Sequence, residues 1–143
     1  MPANSWKLTP GVNHVGAYQV SGKPYATGSI DARDSQNGGS FEVSFPYLTR
    51  WFQVINKDVT NDCRVGFSHF GVMDPGTNYF TVPKADVDAN GAVGNSGILE
   101  LKVASVFLSG STNVDILAGL TNIAPERISG STGPNWSGSS GVG

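Results

Sequence analysis

From Phe41 to Asn56 the chain reads FEVSFPYLTRWFQVIN, with apolar and polar residues alternating at the period of two that an extended strand requires. Phe41, Val43 and Phe45 face one way, and Glu42 and Ser44 the other. Pro46 brings no amide N–H to a sheet ladder and so interrupts the run. The strand after it carries Leu48, Phe52 and Val54 on one side and Tyr47, Trp51 and Ile55 on the other. Apolar residues on both sides call for cover on both sides, so this strand reads as central, with a second sheet or a neighbouring subunit on its far face.

The same period recurs along the rest of the chain. Strands are expected at Asn13 to Val20, Tyr25 to Ile30, Cys63 to Phe70, Tyr79 to Val82, Ile98 to Leu108 and Val114 to Leu120. In the Cys63 strand, Cys63, Val65 and Phe67 share a face opposite Arg64, Gly66 and Ser68; in the Ile98 strand, Leu99, Leu101, Val103 and Phe107 do so. Turn chemistry separates them: Ser21-Gly22-Lys23-Pro24, Asn37-Gly38-Gly39, the Pro-Gly of Met73 to Asn78, and SGSTN before Val114. Residues 83–97 form a long Gly/Asn/Asp-rich excursion. About eight short strands and no helix beyond a turn or two point to an all-β, single-domain β-sandwich, and the count fits a jelly roll. Residues 1–12 read as an N-terminal arm with Trp6 as an anchor, 13–124 as the jelly-roll β-sandwich, and 125–143 as a Gly/Ser-rich C-terminal tail.

Composition narrows the function classes. The 143 residues suffice for one core without disulfides or a structural metal. Charged residues make up only 14%, the net charge is −2 and the basic residues are scattered, so there is no footprint for direct nucleic-acid binding. A single cysteine, Cys63, rules out an internal disulfide. The start MPANSWKLTPG lacks the basic and apolar regions of a signal peptide, and no apolar run approaches the roughly 20 residues of a membrane span. The expectation is a soluble chain made in the cytoplasm of a host cell, with no membrane partner.

Candidate chemistry is sparse. Asp86-Val87-Asp88-Ala89-Asn90-Gly91 reproduces the first half of a calcium loop, but Gly97 stands where the bidentate glutamate belongs and Glu100 comes too late; a polar turn accounts for the same residues. Cys63 lies on the apolar face of its strand, where burial keeps a thiol protonated. His14 and His69 have no Ser or Cys motif beside them and no cluster to complete a zinc site. Asp31 and Asp34 sit in a polar turn with Arg33 and read as solvated charges. No catalytic residue, cofactor or metal is therefore expected, and the chain reads as a non-enzyme. The aromatics Tyr18, Tyr47, Trp51, Tyr79 and Trp136 raise one alternative, a flat platform on which sugars stack. Asn135-Trp136-Ser137 fits a glycosylation sequon, with no secretory signal to support its use.

The succession VSFPYLTRWFQVINKD, DCRVGFSHFGV, NYFTV and LELKVASVFLSGSTNVDILAGLTNI resembles small capsid-associated proteins of marine tailed phages and large DNA viruses of algae. In those proteins a "VT-aromatic-x-V-x-N" strand precedes an arginine-bearing strand, and a "K-V-x-x-x-F-L-S" strand precedes the last. The matching positions are Leu48-Thr49-Arg50-Trp51 through Asn56, Arg64-Val65-Gly66-Phe67, and Lys102 to Ser109; the resemblance spans roughly residues 10 to 125. It implies a jelly-roll virion component: a minor capsid, vertex or decoration protein that forms a homo-oligomer and binds the major capsid protein and other virion proteins. The Gly/Ser-rich tail departs from it. Trp6, Tyr47, Trp51, Tyr79 and Trp136 are the expected oligomer or capsid interface residues. A carbohydrate-binding β-sandwich module for host attachment, with a glycan as partner, is the alternative, and a small β-sandwich hydrolase a weaker rival.

Overall fold

The computed structural model describes residue 12 and residues 22–33, 38–86, 88, 91–130 and 133–143. Its strands are β1 (Lys23–Ile30), β2 (Ser40–Ser44), β3 (Thr49–Asn56), β4 (Cys63–Gly66), β5 (Tyr79–Val82), β6 (Gly94–Asn95), β7 (Ser105–Ser109), β8 (Val114–Leu120), β9 (Ser129–Gly130) and β10 (Gly133–Pro134). One helical turn, α1 (His69–Val72), and a 3₁₀ turn, Pro125–Ile128, are the helical elements among the described residues. Among the described residues two four-stranded antiparallel sheets carry the fold, in the orders β1-β8-β3-β6 and β2-β7-β4-β5, and β9 and β10 form a small ribbon. The chain is thus an all-β sandwich. The strand expected at Asn13 to Val20 lies outside the described residues.

The alternation read from the sequence is what sandwiches the core. From the first sheet Phe52, Val54, Val114, Ile116, Ala118 and Leu120 point inward; from the second come Val43, Cys63, Val65, Val82, Val106 and Leu108. Phe52 and Leu108 are fully buried, and each side chain of that size contributes about 1.5–3 kcal/mol by leaving water. A smaller group, Leu48, Ile123 and Ile128, closes one end of the sandwich beneath Trp136. As expected, β3 is interior to its sheet, between β8 and β6.

A polar network closes the edge where β3 runs out. Asn56, fully buried, donates through Nδ2 to the carbonyls of Asn61 and Val82, and its Oδ1 accepts from Ser111 Oγ and the Asp58 amide. One side chain thereby bonds backbone groups of the β3–β4 loop and of the end of β5, and ties both to the Ser111 hydroxyl between β7 and β8.

Three expectations need correction. The strand beginning at Cys63 stops at Gly66 instead of reaching Phe70, because Ser68 caps α1, its Oγ accepting from the Gly71 amide at 2.9 Å. Gly66 permits this fold-back: a β-carbon there would fall 2.7 Å from both Val72 Cγ1 and the Asn78 carbonyl. The single strand expected from Ile98 to Leu108 is a corner between the sheets. Leu99 exchanges backbone hydrogen bonds with Phe52 in the first sheet, the Leu101 amide turns back to the Leu99 carbonyl, and strand pairing in the second sheet begins at Ser105 with β2 and at Phe107 with β4. The corner changes the phase, so Val103, Val106 and Leu108 point inward whereas Leu101 is 41% exposed and Phe107 pairs outward with Glu42. Finally, the 83–97 excursion contributes β6, which pairs with the end of β3.

Candidate functional site

The described members of the expected aromatic set occupy separate surfaces. Trp51, half-buried, lies on the outward face of β3 opposite Gly119 of β8. Tyr79 lies on the outward face of β5 opposite Gly66, on the other sheet. Tyr47 sits in the β2–β3 connection, packed on the core, with Lys23 Nζ 3.7 Å from its ring centroid. Trp136 packs between the main core and the Leu48 group. These residues do not assemble into one sugar-stacking platform; Trp6 and Tyr18 lie outside the described residues.

The outward face of β1-β8-β3-β6 combines apolar and polar side chains. Register places Ala26 opposite Leu117 and Leu117 opposite Gln53, flanked by Trp51 and Ile55. Leu117 is 39% exposed and Ile98, beside the Phe52–Leu99 bridge, 63%. Gln53 Nε2 donates to Asn95 Oδ1 at 2.8 Å, and ion pairs Lys57–Asp115 (3.0 Å) and Arg50–Glu100 (3.8 Å) border the patch.

The outward face of the second sheet is partly roofed by α1 and by the C-terminal residues. Ser40 Oγ lies 2.6 Å from His69 Nδ1, Ser109 Oγ donates to the Gly39 carbonyl at 2.8 Å and lies 3.4 Å from Met73 Sδ, and Ser68 Oγ donates to the Val142 carbonyl at 2.7 Å. The Ser40–His69 contact is a serine–imidazole pair that the sequence did not place together, since 29 residues separate its members. Its surroundings suit a strut better than a nucleophile. Ser40 is only 5% exposed under α1, whereas an attacking hydroxyl needs open access to its substrate. His14 lies outside the described residues.

Beside this roof a cleft of about 510 Å3 is lined by Asn61, Asp62, Arg64, Asp74, Tyr79 and Thr81, among others. Arg64 is fixed on three sides: Nη1 donates to the Val72 carbonyl at 3.3 Å and to Asp74 Oδ1 at 3.0 Å, and the guanidinium stands 4.6 Å from the Tyr79 ring centroid. The sequence marks Arg64 only as a polar position between two apolar ones. Nothing in its spacing brings Asp74 or Tyr79 to it, because that depends on the fold-back of α1.

The remaining candidates resolve locally. Cys63 is fully buried, and burial pushes its thiol up to about 12 against the opposing backbone hydrogen bond from Ser109. Asp31 Oδ1 accepts the Arg33 amide in a local turn, and Asp34 lies outside the described residues. Asp86 Oδ1 accepts the Asp88 amide, and Asp86 bridges to Ala92, closing a turn around the calcium-like loop, of which residues 87, 89 and 90 lie outside the described set. Among the described residues no three His, Cys, Asp or Glu side chains converge as a metal site, and no helix is long and apolar enough to cross a membrane. Comparison with models of protein families, with curated proteins and with solved structures finds no match.

Proposed function

We propose that this chain is a non-enzymatic virion structural protein of jelly-roll type, a minor capsid, vertex or decoration protein that forms a homo-oligomer and docks on the major capsid lattice. The strand pairing supports the jelly-roll reading. β1 pairs with β8, β2 with β7, β3 with β6 and β4 with β5, the nesting produced when one long antiparallel ribbon is wrapped into two sheets. Capsid domains are among the proteins that use that architecture, although lectins and cupins use it too, so topology alone does not choose a function.

The observation that carries the assembly reading is the outward face of β1-β8-β3-β6. Its inner face is already covered by the second sheet, yet Trp51, Ile55, Leu117 and the neighbouring Ile98 bring apolar surface to the outside. A second copy of the chain covers this face. The mixture of apolar side chains with paired charges of both signs at the border is that of an interface with an apolar centre and a polar rim. The resemblance of the strand succession to capsid-associated proteins is what supports docking of the finished oligomer on a particle. Light scattering of the purified chain tests the first step, and electron microscopy of particles that carry it tests the second. A strict monomer with no affinity for capsids would remove the proposal.

A further inference from the structure

The cleft beside Arg64 has the size and the chemistry of a ligand site, and it lies on the sheet opposite the proposed assembly face. Its volume of about 510 Å3 falls within the roughly 300–1,000 Å3 of small-molecule sites. We propose that it binds a neutral saccharide.

Free hydrogen-bonding capacity is the first reason. Asp62 uses Oδ1 to accept the Lys84 amide at 2.8 Å, and its Oδ2 has no protein partner among the described residues. Arg64 directs both of its hydrogen bonds from Nη1, so Nη2 and Nε still have protons to donate. An acceptor and a planar donor on the wall of one cleft suit neighbouring hydroxyls, each of which both donates and accepts.

Charge selects among polar ligands. Two carboxylates, Asp62 and Asp74, face one guanidinium, Arg64, so the three together carry 2 − 1 = 1 negative charge in excess. That excess disfavours a carboxylate or phosphate and leaves a neutral polyol unopposed. The Met73 side chain and the part of the Tyr79 ring that Arg64 leaves uncovered add apolar surface for the C–H groups of a sugar ring.

Preorganisation is the third reason. Arg64 is held by a carbonyl, a carboxylate and a ring, and Asp62 by a backbone amide, so little side-chain freedom remains to be lost on binding. Gly110, at φ +96°, keeps one wall free of a side chain; a β-carbon there would stand 3.1 Å from the Asp62 carbonyl.

The test is a ¹⁵N-resolved NMR titration of the full chain with glucose, galactose, mannose and N-acetylglucosamine, and in parallel with sialic acid and inorganic phosphate. The expected result is saturable shifts at Asp62, Arg64 and Thr81 for a neutral sugar, with Kd of about 1 mM or tighter. Asp62→Asn keeps the acceptor for Lys84 and is expected to weaken binding about tenfold, as is Arg64→Gln, with the same spectra reporting that each variant is folded. Trp51→Glu, on the other sheet, is expected to leave binding unchanged, so a failure of assembly and a failure of this site are read separately. Absence of saturation by every neutral sugar, binding indifferent to both cleft substitutions, or preference for sialic acid or phosphate would each overturn the proposal.

Discussion

Asp58 Oδ2 accepts both the amide and the hydroxyl of Thr112, at 2.9 Å each, across 54 residues of chain. Its Oδ1 takes the amides of Thr60 and Asn61, and Asn61 Nδ2 closes on Oδ2 at 3.0 Å. Burial at 6% exposure works against the charge of Asp58, but the donors on Thr112, Thr60 and Asn61 outweigh it and hold the carboxyl well below the usual carboxylate range. The loop before β4 and the loop before β8 are thereby tied to one anion.

A group whose folded pKa is depressed stabilises the fold above its unfolded pKa, and that stabilisation is lost as pH falls toward the folded value. For Asp58 the loss therefore begins below about pH 4. In Asp58→Asn the amide cannot accept at both positions, and stability at neutral pH is expected to fall by about 2–4 kcal/mol. Urea midpoints measured from pH 7 down to pH 2 should show wild type and variant converging in acid. Parallel curves would show that the anion is not what the loops depend on.

Cys63 offers a check on the core. With burial raising its thiol to about 12, almost no thiolate exists at pH 8, and the fully buried sulfur is out of reach of reagents. A disulfide-exchange reagent such as DTNB should find no reactive thiol in the native chain and one after unfolding in guanidinium. Rapid labelling of folded protein would place Cys63 outside the core.

Ser68 links two elements with one hydroxyl, accepting from Gly71 to cap α1 and donating to the Val142 carbonyl. Ser68→Ala removes both bonds, for an expected loss of about 1–2 kcal/mol. The C-terminal residues should then become the preferred site of limited proteolysis, with a red-shifted contribution from Trp136. Unchanged cleavage kinetics would mean that other contacts seat the tail.

How far the fold was legible follows from where alternation is local. β4, β5, β8 and the greater part of β3 declare themselves because each holds one phase along its run, as Phe52 and Val54 or Ile116 and Ala118 do; only at the Thr49–Trp51 irregularity does β3 slip. The phase change between Leu99 and Val106 was not legible, because it arises where the chain leaves one sheet for the other, a tertiary event with no local marker. β6 is two residues long and Gly94 has no side chain to show a face. The cleft was illegible for a related reason: Asp62, Arg64 and Asp74 are ordinary polar residues until α1 folds back over Gly66. Buried partners such as Asn56 with Ser111 leave no periodic trace at all.

Trp51 and Leu117 decide the assembly reading. Both lie outward on adjacent strands, opposite Gly119 and Gln53 respectively, so substituting either leaves the inner face of the sheet untouched. Trp51→Glu or Leu117→Glu places a charge where the proposed second copy would bury it, at a cost of several kcal/mol to association, since a buried unpaired charge has no compensating partner. Stability of the single chain should move by no more than about 1–2 kcal/mol, because both side chains are only partly covered within the domain. The expected result in light scattering is an oligomer for the wild type and the mass of one chain for each variant, each variant still folding cooperatively with a modestly lower melting temperature. If the variants stay oligomeric, copies meet through another surface; if they melt far earlier, Trp51 and Leu117 belong to the packing of the domain itself.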